Sequence, residues 1–215
     1  MKYLTFDTET TGLPKDRRAR VADTDMWPYV LQLSWALYDG DTNRLTYGDD
    51  IIRVAETVDI SPSSIAVHGI TRSRSERDGI PVGEAIRRFQ AAMKQANVII
   101  AHNLDFDKRM LMVECTRNKM RHEFYNTQIH YCTMKNSVNL CKIEAVSEKT
   151  GEKYYRYPKL AALHEHLFGT TPQGTHNALA DILICFRCYY KMVLNADVSF
   201  RNRDIGRLLS RHCKV

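Results

Sequence analysis

The sequence has 215 residues, of which 44% are hydrophobic and 26% charged, proportions typical of one soluble globular domain. A net charge of +6 favours a polyanionic partner, nucleic acid first. No apolar run is long enough to span a membrane and no signal peptide precedes the first strand, so we expect a soluble, cytoplasmic protein without a membrane partner. The six cysteines are expected to be free thiols, because disulfides are rare in a reducing compartment.

The first predicted element is a buried strand over Met1–Thr8, and acidic residues lie at its end. Asp7 and Glu9 are two positions apart, so on a strand both carboxylates leave the same face. Two like charges on one face repel unless a cation lies between them, and oxygen ligands favour a hard ion such as Mg²⁺. A pair of solvated acids at a strand end is the alternative, and this stretch alone does not decide between the two.

The next part of the chain predicts an antiparallel meander. Lys15 to Arg20 follow the first strand as an exposed basic loop, which could bind a phosphate backbone or be a solvated surface. Near-alternating apolar residues predict a strand over Tyr29–Tyr38 and a further strand within Arg44–Val54. The segment Ile60–Ile70 is expected to contain one helical turn that ends at Gly69.

From Pro81 onward the order of elements is that of an α/β protein. We predict a helix over Pro81–Ala96, a strand over Asn97–Ala101, a helix over Phe106–Lys119 and a strand within Tyr125–Met134. The rest of the chain predicts helices over Pro158–Gly169 and His176–Leu194. We expect one domain over residues 1–194, with a surface insertion at about 135–157, and a basic helical tail over 195–215 packed on that domain.

Two further acids lie where folding alone does not require them. Asp107 follows a strand end, and Asp181 lies within an apolar helix, where a lone carboxylate is costly. Four acids that converge at strand ends could hold two divalent ions about 4 Å apart, as in phosphoryl-transfer enzymes. His176 precedes Asp181 by five residues, about 140° around a helix, so it is expected to overhang the site from the entry loop or first turn.

Three stretches, FDTETTGL, HNLDFD and HNALAD, together resemble the motifs of the DnaQ-like (DEDDh) 3′–5′ exonucleases of the RNase H-like superfamily. The resemblance extends from Met1 to about Leu194, in the same order. It implies an α/β fold with a ribonuclease H-like mixed five-stranded sheet, an antiparallel meander plus parallel strands, flanked by helices.

The resemblance also implies a catalytic site. It maps the first acids of the family onto Asp7 and Glu9, the middle acid onto Asp107 and the last pair onto His176 and Asp181. Two Mg²⁺ or Mn²⁺ ions are implied, one held by Asp7, Glu9 and Asp181 and the other by Asp7 and Asp107. The first would activate water and the second would stabilise the leaving 3′-oxyanion, with His176 as the general base.

Substrate contacts follow from the same motifs. The residues expected near the terminal nucleotide are Thr8, Thr10, Thr11, Gly12, Leu13, His68, His102, Asn103 and Phe106. His102 and Asn103 also suit a structural role at the strand-to-helix turn, and Phe106 suits either the core or base stacking. Asp107 is preferred to Asp105, because the family places its acid after the aromatic residue.

The predicted function is a metal-dependent 3′–5′ exonuclease that releases nucleoside 5′-monophosphates from single-stranded or frayed DNA, in proofreading or repair. An exoribonuclease is the alternative within the enzyme class, since nothing in the sequence shows what would read the 2′-hydroxyl. A proofreading subunit that serves a DNA polymerase is a second alternative. A structural protein with a cation site is a third, and it predicts metal-dependent melting without hydrolysis.

Overall fold

A mixed sheet of five strands forms the centre of the computed structural model, which describes residues 1–124, 128–173 and 177–213. The strands are β1 Lys2–Thr10, β2 Val30–Asp39, β3 Arg44–Ile51, β4 Val98–Ala101 and β5 Ile129–Cys132. Their order is β3-β2-β1-β4-β5, with β1, β2 and β3 antiparallel and β4 and β5 parallel to β1. The predicted fold class, a meander plus parallel strands, is confirmed.

Helices flank both faces of the sheet. They are α1 Pro62–His68, α2 Arg72–Asp78, α3 Val82–Met93, α4 Leu104–Arg117, α5 Thr133–Asn136, α6 Val138–Cys141, α7 Leu160–Phe168, α8 Ala178–Leu194, α9 Val198–Arg201 and α10 Arg203–His212. Helix α2 was not predicted, because its seven residues include no apolar side chain and so show no periodicity. Its start is instead fixed by the Thr71 side chain, which accepts a hydrogen bond from the backbone N–H of Arg74.

The side chains of β1 alternate between two separate cores. Leu4 and Phe6 pack on the α3 side, where the ring of Phe6 lies 5.0 Å from that of Phe89. Tyr3 packs on the α8 side, with its ring 6.1 Å from that of Phe186. By the same alternation, Asp7 belongs to the α8 face and Thr8 to the opposite face. The alternation therefore sends neighbouring residues of one strand to different helices.

Helix α4 begins at Leu104, two residues before the predicted start. Asn103 adopts a left-handed conformation, with φ 74°, between the end of β4 and the helix. Asp105 consequently lies in the first turn of α4, is exposed and pairs with Lys135. The predicted strand within Tyr125–Met134 is limited to β5, and residues 125–127 fall outside the described part of the chain.

The segment after β5 is tied to the sheet at both ends by one histidine. The ring of His102, just beyond β4, places Nδ1 2.9 Å from Thr133 Oγ1 and Nε2 3.1 Å from the carbonyl oxygen of Pro158. Between these anchors, β6 Glu144–Val146 and β7 Lys153–Tyr155 form a hairpin outside the main sheet. Residues 148–157 are exposed throughout, so the hairpin stands in solvent.

The chain ends in two helices that pack on the domain. Ile205 and Leu209 of α10 are buried in the same core as α8. All six cysteines are free thiols, and all but Cys141 are buried. Over the described residues, no helix is both long enough and apolar enough to cross a membrane.

Candidate metal centre and nucleotide cleft

Three acids from β1 and α8 meet at the end of the first strand. Asp7 and Glu9 leave the same face of β1, and Asp181 lies in the first turn of α8, which packs on that face. One carboxylate oxygen from each residue can be chosen so that all lie within 4.8 Å of one another. The structure thus brings together three of the acids that the sequence singled out, and their donor atoms are all oxygen.

Asp107 approaches the same strand end from the opposite side of the sheet. It lies on α4, is 2% exposed, and its Oδ1 accepts two hydrogen bonds from Thr8. The backbone N–H of Thr8 lies 3.1 Å from this oxygen and the hydroxyl oxygen 2.8 Å from it. Thr8, between Asp7 and Glu9 in sequence, therefore holds Asp107 in place.

Burial and mutual repulsion raise the pKa of the Asp7, Glu9 and Asp107 carboxyl groups. Desolvation is the largest cause for Asp7, Glu9 and Asp107, and the neighbouring carboxylates add to it. The pKa of Asp7 is raised well above its ordinary value, that of Glu9 to about 8 and that of Asp107 to about 7. The two bonds from Thr8 oppose the rise at Asp107. Ionised together, these groups need a compensating cation, and an all-oxygen donor set fits Mg²⁺ or Mn²⁺.

The loop after β1 is shaped by its own hydroxyl groups. The Thr10 hydroxyl donates to the carbonyl oxygen of Gly12 at 2.7 Å, and Thr11 exchanges two hydrogen bonds with the backbone of Tyr29. A Cβ atom built on Gly12 would meet only Ser61 Oγ, at 3.9 Å, so packing does not require glycine there. Leu13 is 73% exposed. The loop therefore presents backbone and one apolar side chain to solvent.

The two histidines predicted near the substrate both make structural hydrogen bonds. His68 accepts a bond at Nδ1 from the backbone N–H of Ile70, and its Nε2 lies 3.2 Å from the carbonyl oxygen of Thr10, so it helps to fix the loop. Both ring nitrogens of His102 are used in anchoring residues 133 and 158. Burial lowers the pKa of His102 to about 4, which keeps its ring neutral at physiological pH.

A cleft of about 370 Å³ separates this loop from the start of α4. It is lined by Leu13, Pro14, Arg17, Trp27, Asn103, Asp105, Phe106 and Arg109. Leu13, Asn103 and Phe106 were expected at the substrate. Trp27 and Arg109 were not singled out from the sequence, and Arg17 was noted only as part of the basic loop. Of the two candidate residues in the third motif, HNALAD, Asp181 lies in the acidic group. His176 falls outside the described residues.

A family model described as Exonuclease (RNase_T) matches residues 4–189. The chain therefore belongs to this exonuclease family, the DnaQ-like 3′–5′ exonucleases of DEDDh type in the RNase H-like superfamily, as the motifs predicted. The enzyme class follows from the family, and divalent-metal dependence is implied by it. No curated protein matches the sequence.

Solved structures share the fold at low sequence identity. Escherichia coli exonuclease I in complex with a dA16 oligonucleotide is 15% identical, with a TM-score of 0.63 over 98% of this chain and 42% of that chain. The nuclease domain of 3′hExo, a DEDDh family member bound to rAMP, is 16% identical, with a TM-score of 0.61 over 91% of this chain and 93% of that chain. The present chain thus spans less than half the length of exonuclease I.

Proposed function

We propose that this chain hydrolyses single-stranded or frayed DNA from its 3′ end and releases nucleoside 5′-monophosphates. The observation that carries the proposal is the grouping of Asp7, Glu9 and Asp181 at one strand end, with Asp107 approaching from the other side. A purely structural protein has no physical reason to bury several acids that raise one another's pKa. A binding module released from catalysis has no such reason either.

The acids divide into two ligand sets. Asp7, Glu9 and Asp181 would hold one Mg²⁺ or Mn²⁺, and Asp7 and Asp107 would hold a second. When bound, the two ions would supply activation of the attacking water and stabilisation of charge on the leaving 3′-oxygen. Thr8 would keep Asp107 aimed at its ion through the two hydrogen bonds already present.

His176 is proposed as the general base that takes the proton from the attacking water, because it lies in the third motif. An imidazole is suited to this task because its ordinary pKa lies near the working pH. Leu13 and Phe106 would hold the terminal base between them, since both line the cleft beside the loop. The backbone of Thr10 to Gly12 would face the 3′-hydroxyl, and the missing side chain at Gly12 allows a close approach.

RNA is the second candidate substrate. The structural relatives include one bound to a DNA oligonucleotide and one bound to rAMP, so the fold accommodates both sugars. The proposed cellular role is proofreading together with a DNA polymerase, or DNA repair. A proofreading subunit should co-purify with a polymerase. Activity of the isolated chain would separate an independent nuclease from an accessory subunit.

The test is incubation of the purified chain with Mg²⁺ or Mn²⁺ on matched 5′-end-labelled DNA and RNA, followed by addition of chelator. We expect stepwise shortening from the 3′ end that chelator stops. Asp7→Ala should lower the rate by about a thousandfold, because it removes a ligand shared by both ions and so several kcal/mol of stabilisation.

A pair of neighbouring acids supplies the matched control. Asp107→Asn should remove most of the activity, whereas Asp105→Asn should keep most of it, since Asp105 is exposed and paired with Lys135. Full activity in Asp7→Ala would contradict the proposed mechanism.

A further inference from the structure

The four cations of the loop after β1 have different surroundings, although the sequence presents them as one basic run. Lys15, Arg17, Arg18 and Arg20 are all exposed. Arg20 pairs with Asp23 at 2.9 Å. Of the remaining three, only Arg17 lines the cleft between the loop and α4. The structure thus separates one cation of this run from its neighbours.

The backbone at Arg17 is held in place by a second arginine. The guanidinium of Arg109, on α4, donates to the carbonyl oxygen of Arg17 at 3.0 Å and to that of Ala19 at 2.9 Å. The same guanidinium lies over the ring of Trp27, 4.9 Å from its centroid. Because Arg109 is committed to these contacts, it fixes where the loop lies on α4.

Two cations line the cleft, Arg17 and Arg109, and they differ in whether their hydrogen-bond donors are free. Arg109 is occupied with backbone carbonyl groups, and the negative charge of Asp105 is paired with Lys135. The Arg17 guanidinium itself makes no hydrogen bond or ion pair with any described residue. An exposed guanidinium on a fixed backbone is suited to a phosphate, which it can contact through two parallel hydrogen bonds.

We propose that Arg17 binds a backbone phosphate of the substrate strand beside the terminal nucleotide, and that Arg109 positions it. This inference rests on the proposed function. The apolar walls, Leu13 and Phe106, would take the terminal base, and the strand leaving that base would pass the mouth of the cleft where Arg17 stands. A phosphate is favoured over a base edge because Arg17 is exposed, while the apolar side chains form the walls that suit a base.

The test compares Arg17→Ala with Arg18→Ala, its exposed neighbour outside the cleft lining. Steady-state kinetics on labelled single strands should show KM raised about tenfold in Arg17→Ala, the effect of losing one charge-assisted contact to a phosphate, with kcat unchanged. Arg18→Ala should resemble the wild type. Arg17→Lys should keep part of the affinity, because it retains the charge but loses the bidentate geometry.

Two further readouts identify the group that Arg17 contacts. The slope of log affinity against log salt, measured by fluorescence anisotropy with chelator present, should fall by about one in Arg17→Ala. The loss should be equal for substrates that end in each of the four bases. A loss that depends on the terminal base would overturn the phosphate assignment, and an Arg17→Ala variant that matches Arg18→Ala would overturn the inference entirely.

The positioning role of Arg109 has its own test. Arg109→Gln should raise KM as Arg17→Ala does, and the double variant should show no further loss, because both changes act on one contact. Additive losses would overturn the positioning role. Thermal melting of each variant separates this effect from unfolding. If the wild type fails to hydrolyse nucleic acid, the proposed function falls, while the anisotropy comparison still tests whether Arg17 binds a phosphate.

Discussion

The two faces of the sheet contribute acids to one site but hold them in different ways. On the α4 side, the Asp107 carboxylate already accepts two hydrogen bonds from Thr8. On the α8 side, Asp7 and Glu9 accept no hydrogen bond from any donor in the described residues, and Asp181 stands close to both. Asp107 is therefore oriented by protein donors, whereas Asp7 and Glu9 are placed mainly by the backbone of β1.

Because of this difference, we expect the two proposed ions to be bound with different affinities. A carboxylate held by protein donors has part of its charge compensated, as the opposing effect of Thr8 on the pKa of Asp107 shows. On the α8 side, Asp7 and Glu9 need a cation for compensation when ionised, because desolvation and repulsion from neighbouring carboxylates both raise their pKa. We therefore expect the ion on the α8 side to be bound more tightly than the ion at Asp107. The charge and orientation of the Asp107 carboxylate would depend on its hydrogen bonds from Thr8.

The largest expected effect comes from the α8 side. Asp181→Asn should lower the rate of 3′ hydrolysis by about a thousandfold, because it would remove a ligand of the ion that is proposed to activate water. The same change should raise the melting temperature in chelator, since it relieves repulsion with Asp7 and Glu9. Loss of activity together with a lower melting temperature would instead point to a structural role for Asp181.

A smaller effect is expected on the α4 side. Thr8→Val keeps the shape of the side chain but removes the hydroxyl bond to Asp107, so the rate should fall about 10- to 100-fold, with a higher metal requirement. Thr5→Val is the matched control, because Thr5 lies on the same strand, is buried and has no hydrogen-bond partner for its hydroxyl among the described residues. Equal activity in both variants would show that the Thr8 hydroxyl does not orient Asp107 for catalysis, and the two faces of the sheet would then not differ in this respect.

The stability of the metal-free protein should depend on pH. The pKa of Glu9 is raised to about 8 and that of Asp107 to about 7, above ordinary values near 4, so the folded state keeps protons that the unfolded state releases. The melting temperature in chelator should therefore fall as pH rises from about 4 to 8. Asp7→Asn should show a shallower fall, and Mg²⁺ should oppose it by binding the ionised groups. A melting temperature of the wild type that does not change with pH would contradict the raised pKa values of Glu9 and Asp107.

The smallest expected effect concerns stability alone. Thr5→Val replaces a buried hydroxyl that has no hydrogen-bond partner in the described part of the chain with a methyl group of the same shape, and it should stabilise the fold by about 1 kcal/mol. Denaturant unfolding measures this directly. Thr8→Val should instead destabilise the fold, because it leaves Asp107 with one donor fewer. Destabilisation by both changes would mean that the Thr5 hydroxyl has a partner in solution.

Periodicity and motif spacing predicted much of this molecule. The alternation in Tyr29–Tyr38 gave β2 to within a residue at each end, and the two-residue spacing of Asp7 and Glu9 put both on one face. The sequence did not predict α2, because that helix has no apolar side chains. It also placed the start of α4 two residues too late, because the left-handed conformation of Asn103 was not foreseen. The proposed base, His176, remains a prediction, since it lies outside the described residues.

The sequence by itself determined the class of this protein, the succession of its main-sheet strands and longer helices, and the acids of its candidate site, because these follow from local periodicity and from short motifs. Only the tertiary structure decided which partners those residues meet. Thr8 holds Asp107 from 99 residues away, and Arg109 fixes the loop at Arg17 from 92 residues away. Such pairs arise when the sheet and α4 pack together, and no local pattern in the chain encodes them.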